Sequence, residues 1–379
     1  MENRDKLMKE IGENEMAFPL TFKEWEDVAK EKMITGGYQY VSKGAGSEET
    51  AKRNRTALEK WSIIPRMLND VSTVDVTTEL LGNKYASPFL LSPIGMQKLA
   101  HTNGEIATAQ ACKKFMVPFI LSTVSSCSIE EVAEVSNGPK WFQLYWSHEN
   151  PEVSYSMIHR AEKAGYEAIV VTVDTVMAGW REGDMKAGFS PLSLGYGSGN
   201  YKTDPVFMAS LKDKEEQSII EEILTHIQHP QLTWDAIAEI KKRTTLPIIL
   251  KGILHKEDAL LAVKYGVDGI IVSNHGGRQL DGVIASIDAL AEIKEVIDKQ
   301  IPILFDSGVR RGVDAVKALA IGADAVCIGR PYLYGLAAHG KVGVEKVIER
   351  FIQETEVTLG LAGIARLAEI ERLGMKREK

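Results

Sequence analysis

Cysteine is scarce in this chain and is not arranged in pairs. The 379 residues include only Cys112, Cys127 and Cys327, and no two of them form a CxxC pair. A disulfide framework and a zinc ribbon both need paired cysteines, so neither is expected. Each cysteine lies in or beside an apolar or helical stretch. The pattern therefore predicts three buried free thiols in a reducing compartment.

Long apolar runs and excess positive charge are also missing. No apolar run is long enough to span a membrane, and the first 18 residues (MENRDKLMKEIGENEMAF) lack the apolar core of a signal peptide. The net charge of −7 and the pI near 5.7 argue against a nucleic-acid partner, which usually meets a basic face. We expect a cytoplasmic protein with neither a nucleic acid nor a membrane as partner, and the sequence predicts no metal site.

Eight short apolar runs are what the chain does contain, each followed by turn residues and a helical pattern. Hydrophobic residues make up 44% of the sequence, which is enough for a sizeable core. The runs are apolar almost throughout, as is typical of parallel strands covered on both faces. They begin at residues 88, 118, 140, 168, 247, 269, 301 and 323. Eight such units predict a (β/α)8 TIM barrel, and a doubly wound open sheet is the alternative.

The spacing of these runs has one exception. The fourth and fifth predicted strands end near residues 174 and 251, which are 77 residues apart, whereas the other strand ends are 23 to 32 residues apart. Long connections in compact domains are usually lids or disordered segments, so we predict a mobile lid over the barrel mouth. The predicted parts of one domain, residues 1–379, are an N-terminal helical cap (1–85), the barrel (88–335), the lid insertion (185–232) and C-terminal helices (340–379).

The segment IIVSNHGGRQLDG, residues 270–282, carries the strongest chemical signal. Its apolar β-formers end at Ser273 and are followed by a glycine turn, which places His275 and Arg278 on a loop at the C-terminal end of a strand. That end of a TIM barrel holds the active site. A histidine can take a proton near neutral pH, and an arginine can hold a carboxylate in a two-point fork. The pair predicts proton abstraction from a small carboxylate substrate; surface contacts of an ordinary loop are the alternative.

The last two predicted strands are followed by a phosphate-site pattern. FDSGVRRG (residues 305–312) and CIGRP (residues 327–331) place glycines and arginines after strands seven and eight, where barrels commonly bind phosphate. Exposed backbone N–H groups at a helix N-terminus favour an anion there. The alternative is that Gly308 and Gly329 only form turns.

Polar residues end several more of the predicted strands. Ser122, Gln143 and Thr172 suit hydrogen bonding to a flat heterocycle, so the sequence predicts a mononucleotide cofactor without specifying which one. Lys251 ends an otherwise apolar strand and is predicted to point into the barrel mouth. It would serve there as a Schiff-base lysine or as a fixed positive charge, and a structural ion pair is the alternative.

Taken together, these residues resemble the FMN-dependent L-2-hydroxyacid oxidase and dehydrogenase family. The resemblance runs from about Phe18 to Leu373, nearly the whole chain. SNHGGRQLDG is highly specific to the family, FDSGVRRG and IGRP support the resemblance independently, and FQLY and TVDT fit in order and spacing. The resemblance implies FMN as the cofactor and a small 2-hydroxy acid and O2 as the partners.

The resemblance also implies a role for each strand-end residue. His275 would be the catalytic base, Asp174 the acidic partner of the protonated histidine, and Lys251 a positive charge beside the flavin. The residues implied to bind the substrate are Tyr40, Tyr145, Arg181 and Arg278, with Tyr145 also acting in catalysis. The residues implied to contact FMN are Pro93, Ile94, Gly95, Ser122, Gln143, Thr172, Lys251 and Ser273, together with Asp306, Ser307, Gly308, Arg310, Gly329 and Arg330 around the ribityl phosphate.

The implied activity is oxidation of an L-2-hydroxy acid, L-lactate first among the candidates, to the 2-oxo acid with O2 as acceptor. Within the family, Gly95 and the long insertion resemble a lactate 2-monooxygenase, which gives acetate, CO2 and water; oxidases typically have alanine at that position. The absence of a bulky aromatic residue at Thr123-Val124 would admit a larger substrate. Two competing hypotheses are a non-flavin aldolase-type barrel that uses Lys251 and a binding protein without turnover. The resemblance further implies a homotetramer.

Overall fold

The computed structural model of the chain describes residues 18–297 and 299–378. Within these residues, three helices and three short strands precede the barrel. They are α1 (Phe22–Lys32), α2 (Thr35–Ser42), α3 (Glu49–Lys60), β1 (Trp61–Ile64), β2 (Thr78–Leu80) and β3 (Asn83–Tyr85). Helix α1 begins with a capping box, because Thr21 and Glu24 each accept a hydrogen bond from the other's backbone N–H. Residues 1–17 of the predicted cap lie outside the described residues. They include nearly all of the N-terminal segment that lacks the apolar core of a signal peptide.

Eight parallel strands close into a barrel, which confirms the predicted fold and rules out the open sheet. They are β4 (Phe89–Leu91), β5 (Phe119–Ser122), β6 (Lys140–Leu144), β7 (Ile169–Thr172), β8 (Ile248–Ile253), β9 (Gly269–Val272), β10 (Ile303–Phe305) and β11 (Ala325–Ile328). The barrel closes where β11 pairs with β4, with Cys327 opposite Leu90. All eight apolar runs of the sequence are strands, because each is covered on both faces.

The interior of the barrel is filled with apolar side chains. Each strand contributes to one buried cluster, which includes Leu90, Trp141, Ile249 and Leu304. A second and larger cluster lies between the strands and the helices outside them. Because the interior is packed, a ligand must bind at the end of the barrel rather than inside it.

Helices cover the outside of the barrel. They are α4 (Gly104–Phe115), α5 (Ile129–Val135), α6 (Pro151–Lys163), α7 (Glu182–Ala187), α8 (Gly199–Lys202), α9 (Pro205–Ser210), α10 (Glu216–Ile227), α11 (Trp234–Lys241), α12 (Lys256–Lys264), α13 (Ser286–Ile297), α14 (Gly312–Ile321) and α15 (Arg330–Leu361). Short 3-10 helices occur at Gln97–Leu99, Leu192–Leu194, His275–Gly277 and Leu367–Arg372, and β12 (Gly374–Arg377) pairs with β1. None of the helices in the described ranges is long and apolar enough to cross a membrane.

The three cysteines are buried and form no disulfide within the described part of the chain, as predicted. Burial raises the pKa of each thiol. They are therefore protonated and unreactive at neutral pH.

The insertion between β7 and β8 contains helices α7 to α10 rather than a long coil. Its central part is fixed to the barrel. The buried Asn200 donates from Nδ2 to the carbonyl oxygens of Ser122 and Thr123, both at 3.0 Å. Asp204, also fully buried, pairs with Arg160 of α6 at 3.0 Å. The mobility of a lid stays a prediction, but the stretch around α8 and α9 is held by buried polar contacts.

Acidification is expected to weaken the packing of this insertion through His229, which follows α10. His229 is buried, and neither of its ring nitrogens has a hydrogen-bond partner among the described residues. Burial, with a smaller contribution from the nearby His226 and His148, lowers its pKa to about 4. The unfolded chain binds a proton near pH 6.5 and the folded chain does not, so stability is lost as pH falls from about 6.5 towards 4. The loss approaches about 3 kcal/mol.

Urea unfolding at pH 7.5 and pH 5 measures this effect. We expect the loss of unfolding free energy between the two pH values to be smaller in His229→Leu than in the wild type. The exposed His159 gives a matched control, because His159→Leu should leave the wild-type loss unchanged. An equal loss in the wild type and His229→Leu would contradict the prediction.

Candidate active site

A cavity that opens to solvent lies at the barrel mouth, where the strands end. The predicted site residues that line it are Tyr40, Pro93, Ile94, Gly95, Ser122, Tyr145, Arg181, Lys251, His275, Arg278, Asp306, Ser307, Gly308, Arg310, Gly329 and Arg330. The predicted site residues Asp174, Gln143, Thr172 and Ser273 lie behind this lining. Three of them, Asp174, Gln143 and Ser273, form hydrogen bonds with residues that line the cavity. The fourth, Thr172, is the strand partner of Lys251 between β7 and β8.

His275 is held by a tight turn at the end of β9. Its backbone is in the left-handed region with φ 58°, which is uncommon for a residue other than glycine. The side chain of Asn274 accepts a hydrogen bond from the N–H of Gly277 at 3.1 Å and closes the turn. A Cβ on Gly277 would lie 2.6 Å from the backbone nitrogen of Ala51. Gly277 is therefore required for helix α3 to approach the loop that carries His275.

Asp174 and Lys251 meet His275 at one ring nitrogen. Asp174 Oδ1 lies 2.9 Å from His275 Nδ1, and Lys251 Nζ lies 3.4 Å from the same atom. The shorter contact assigns the proton on Nδ1 to a hydrogen bond donated to Asp174. Nε2 is then left with its lone pair, which is the form of the imidazole that can accept a proton from a ligand.

Burial, together with the charge of Lys251, keeps His275 in that form. Burial lowers the pKa of His275, Asp174 offsets part of this shift, and Lys251 adds to it. Burial alone would raise the pKa of the Asp174 carboxyl, but the charges of His275 and Lys251 hold it below its ordinary value. At neutral pH the pair is therefore a carboxylate and a neutral imidazole, which is the resting state of an oriented general base.

Two arginines stand on the same side of the cavity as His275. The guanidinium of Arg278 stacks on the ring of Tyr40 at 4.8 Å and donates to the carbonyl of Lys43 at 2.5 Å. Burial, together with the charge of Arg181, lowers the pKa of Arg278 to about 10. Asp184 forms an ion pair with Arg181 Nη1 at 3.9 Å, a distance too long for a hydrogen bond. Two cations in this arrangement favour binding of an anion such as a carboxylate.

Tyr145 supplies a phenol beside these cations. Burial raises its pKa, and the charge of Asp174 raises it further, so the hydroxyl is protonated at neutral pH and can donate. Its backbone N–H donates to Thr123 Oγ1 at 2.9 Å, which fixes the end of β6 against the loop after β5.

A second pair of arginines lies after β10 and β11. Burial, together with the charge of Arg330, lowers the pKa of Arg310 to about 9. Arg330 donates to the carbonyls of Val41 and Gly276 at 2.9 and 3.1 Å, and so it is fixed in place. Both side chains line the cavity beside Gly308. The predicted phosphate residues thus meet, and a bound dianion would relieve the repulsion between them.

An unsatisfied amide, that of Gln143, lies behind the cavity lining. Gln143 Oε1 accepts from Ser122 Oγ at 3.0 Å and from the N–H of Thr123 at 3.1 Å. Its Nε2 is buried and has no partner among the described residues. A buried donor without a partner costs about 1 to 3 kcal/mol, so Gln143 is suited to a ligand that carries an acceptor. Two arginine pairs that line one cavity, with neutral polar groups in and behind its wall, fit FMN and a carboxylate substrate.

Asp306 organises the floor of the cavity. It accepts hydrogen bonds from the hydroxyls of Ser92 at 2.8 Å, Ser273 at 2.5 Å and Ser307 at 3.2 Å. Ser92, like Gly276 and Cys327, lines the cavity but is not among the residues predicted from the sequence. Ser92 directly follows β4, so the strand-end rule that identified the predicted residues would have found it.

Val124 fills the space beside Gly95. A Cβ on Gly95 would lie 2.6 Å from both the carbonyl oxygen and Cγ2 of Val124. The glycine therefore accommodates a close approach of the loop after β5 and does not leave the cavity wider at this point. Val124 also lines the cavity, and the expectation that the absence of an aromatic residue there admits a larger substrate stays a prediction.

Comparison with known proteins agrees with this geometry. The sequence profile described as FMN-dependent dehydrogenase matches residues 29–377. An L-lactate oxidase from Lysinibacillus sphaericus is 53% identical over 95% of this chain and 93% of its own length. An L-lactate oxidase from Nostoc is 42% identical over 93% of this chain and 97% of its own length. A crystal structure of mandelate oxidase with (S)-4-hydroxymandelic acid superposes with a TM-score of 0.87 at 37% identity, covering 95% of this chain and 99% of that one.

Proposed function

This chain belongs to the FMN-dependent dehydrogenase family, and we propose that within it the protein oxidises L-lactate to pyruvate with O2 as the electron acceptor, releasing H2O2. FMN is its cofactor and L-2-hydroxy acids are its substrate class. One observation carries the proposal. A neutral base oriented by a carboxylate shares a single cavity with an arginine pair suited to a substrate carboxylate. The two L-lactate oxidases among the relatives support lactate as the acid.

The residues around His275 have separate roles in the proposed reaction. Arg181 and Arg278 hold the substrate carboxylate, and the phenols of Tyr40 and Tyr145 donate to the substrate. Nε2 of His275 takes a proton from the substrate, and Asp174 stabilises the imidazolium that forms. FMN, when bound, would accept the two electrons together with the second proton that the oxidation releases.

A separate group of residues would hold the cofactor. Arg310 and Arg330 would bind its phosphate, Asp306 would accept from its ribityl hydroxyls, and Gln143 would donate to its ring system. Lys251, which lies 4.0 Å from Asp174 Oδ2, would act as a fixed positive charge. An aldolase-type role for Lys251 finds no support once the family is established.

Activity is expected to persist below the ordinary pKa of histidine. The base works only when neutral, and burial lowers the pKa of His275. The value of kcat/KM should therefore stay constant as pH falls from 8 to 6.5 and decline only at lower pH, about tenfold per unit. A pH profile of the enzyme with FMN bound measures this directly. An acid limb centred above pH 6.5 would show that the base is not the buried histidine in this environment.

The products distinguish the proposed oxidase from a monooxygenase. We expect the purified protein with FMN to convert L-lactate in air to equal amounts of pyruvate and H2O2, without CO2. Acetate and CO2 with little H2O2 would replace the proposal by a lactate 2-monooxygenase. Anaerobic bleaching of the flavin absorbance by L-lactate, with no turnover in air, would show that the acceptor is not O2.

We infer in addition that the protein is a cytoplasmic homotetramer. The buried thiols suit a reducing compartment, and large apolar side chains stand exposed near the barrel mouth, among them Met177 (66%), Trp180 (67%) and Met185 (55%). Exposed apolar groups of this kind are typical of association surfaces. Light scattering should give four times the chain mass of 41.8 kDa, and a monomer mass would overturn this inference.

A further inference from the structure

Gln279 is a buried side chain that connects Arg181 to the loop that carries Asp174. It follows Arg278 in the chain but does not line the cavity, and only 8% of it is exposed. Its Oε1 accepts from Arg181 Nη2 at 2.8 Å. Its Nε2 donates to the carbonyl oxygens of Asp174 at 3.1 Å and Met177 at 3.0 Å. Both amide protons and the amide oxygen are therefore used.

Arg181 depends on these contacts for its orientation. Its Nε donates to the carbonyl oxygen of Arg278 at 3.1 Å, and its Nη2 donates to Gln279. Two donors on one edge of a planar guanidinium fix the direction of the plane. The remaining N–H groups are left for a ligand in the cavity, which Arg181 lines. Without the acceptor at position 279, the guanidinium would keep one hydrogen bond, at Nε, and the 3.9 Å ion pair of Nη1 with Asp184.

The loop from residue 173 to 181 presses closely on this segment. A Cβ on Gly179 would lie 2.4 Å from the carbonyl oxygen of Arg278 and 2.9 Å from Cα of Gln279. The same loop begins with Asp174, the partner of His275. Backbone packing at Gly179 and the hydrogen bonds of the Gln279 amide thus hold the 173–181 loop against the segment of Arg278 and Gln279.

We infer that Gln279 is a positioning residue that sets Arg181 against Arg278 and ties this arginine pair to the loop that carries Asp174. The inference rests on the proposed function for the identity of the substrate. Glutamine is suited to the position because one donor group and one acceptor group are both needed. A glutamate carboxylate only accepts hydrogen bonds, so it would be repelled by the carbonyl oxygens of Asp174 and Met177. An apolar side chain would leave Arg181 Nη2 and both carbonyls without partners.

The test uses Gln279→Met, which keeps the length of the side chain and removes its hydrogen bonds. In the protein with FMN bound, we expect KM for L-lactate and Kd for oxalate to rise roughly 10- to 100-fold, with an unchanged FMN content. Oxalate is a carboxylate probe that does not depend on turnover. The exposed Gln217 gives a matched control, and Gln217→Met should change neither value. An unchanged Kd for oxalate in Gln279→Met would overturn the inference.

A double-mutant cycle separates positioning from a general structural role. If Gln279 acts through Arg181, then Gln279→Met should raise Kd for oxalate less than about threefold in an Arg181→Met background, because coupled residues are not additive. The full 10- to 100-fold effect in both backgrounds would overturn the inference. A wild type that binds oxalate in an Arg181-dependent way but does not oxidise L-lactate would refute the proposed function and leave this test intact.

Gly179→Ala provides a second route if Gln279→Met does not fold. The added Cβ must displace the loop from Arg278 and Gln279 while every hydrogen-bonding side chain is kept. We expect it to raise Kd for oxalate by at least about tenfold. Wild-type affinity in Gly179→Ala would show that the contact between the two loops does not control the arginine pair.

Discussion

Replacing His275 by glutamine is expected to lower kcat roughly 10²- to 10⁴-fold, the range that a general base contributes. The amide fills much of the space of the imidazole but cannot take a proton. FMN content should match the wild type, because the groups assigned to the cofactor phosphate, Arg310 and Arg330, are untouched. Stopped-flow measurement of anaerobic flavin bleaching by L-lactate isolates this half of the reaction.

The exposed His159 serves as the control for this substitution. His159→Gln should bleach at the wild-type rate. If His275→Gln bleached at that rate too, the base would be a different group, and the 2.9 Å contact between His275 and Asp174 would have to be explained as a structural one.

Replacing Asp174 by asparagine should lower kcat by a similar factor for a different reason. The carboxylate accepts only, and so it fixes the proton of His275 on Nδ1. Asparagine can present its NH2 group to Nδ1 instead, which would leave the proton on Nε2, where it blocks the base. The same reasoning applies to the serine-protease triad, in which this change at the aspartate costs about 10⁴-fold; here we expect roughly 10²- to 10⁴-fold.

The pH profile distinguishes this variant from a loss of folding. Asp174 raises the pKa of His275 against the larger effect of burial. Its removal should therefore move the acid limb of kcat/KM to lower pH while the plateau falls. The exposed Asp235 gives a control, since Asp235→Asn should keep both the plateau and the limb. A plateau that falls without any movement of the acid limb would contradict an electrostatic link between Asp174 and His275.

The strands and the residues at their ends could be predicted from the sequence because their signals are local. Apolar runs followed by turns identify all eight barrel strands. In a closed parallel barrel every strand delivers its last residues to one mouth, so a list of strand ends is already a list of neighbours. This is why His275, Lys251 and Asp306 were predicted together, and why they meet.

Contacts that depend on how loops fold over the mouth could not be predicted in this way. Ser92 and Asp306 are 214 residues apart and form a hydrogen bond at 2.8 Å. Gln279 lies within the SNHGGRQLDG motif, but nothing in the residues beside it indicates that its amide reaches Arg181 and the loop of Asp174. The close approach of Val124 to Gly95 is likewise a contact between two loops, and no local pattern indicates it.

The sequence by itself thus determined the barrel and the polar residues at its mouth, since hydrophobic periodicity and residue chemistry are properties of short segments. The resemblance to the FMN-dependent family implied the cofactor and the roles of His275, Arg181 and Arg278, and those roles stay predictions. The tertiary structure decided how those groups act on one another. Only the folded chain brings Asp174 within 2.9 Å of His275 across 101 residues and buries both. That proximity and burial make the imidazole a neutral base with its proton on Nδ1, because pKa values and proton positions depend on neighbours and solvent rather than on residue type.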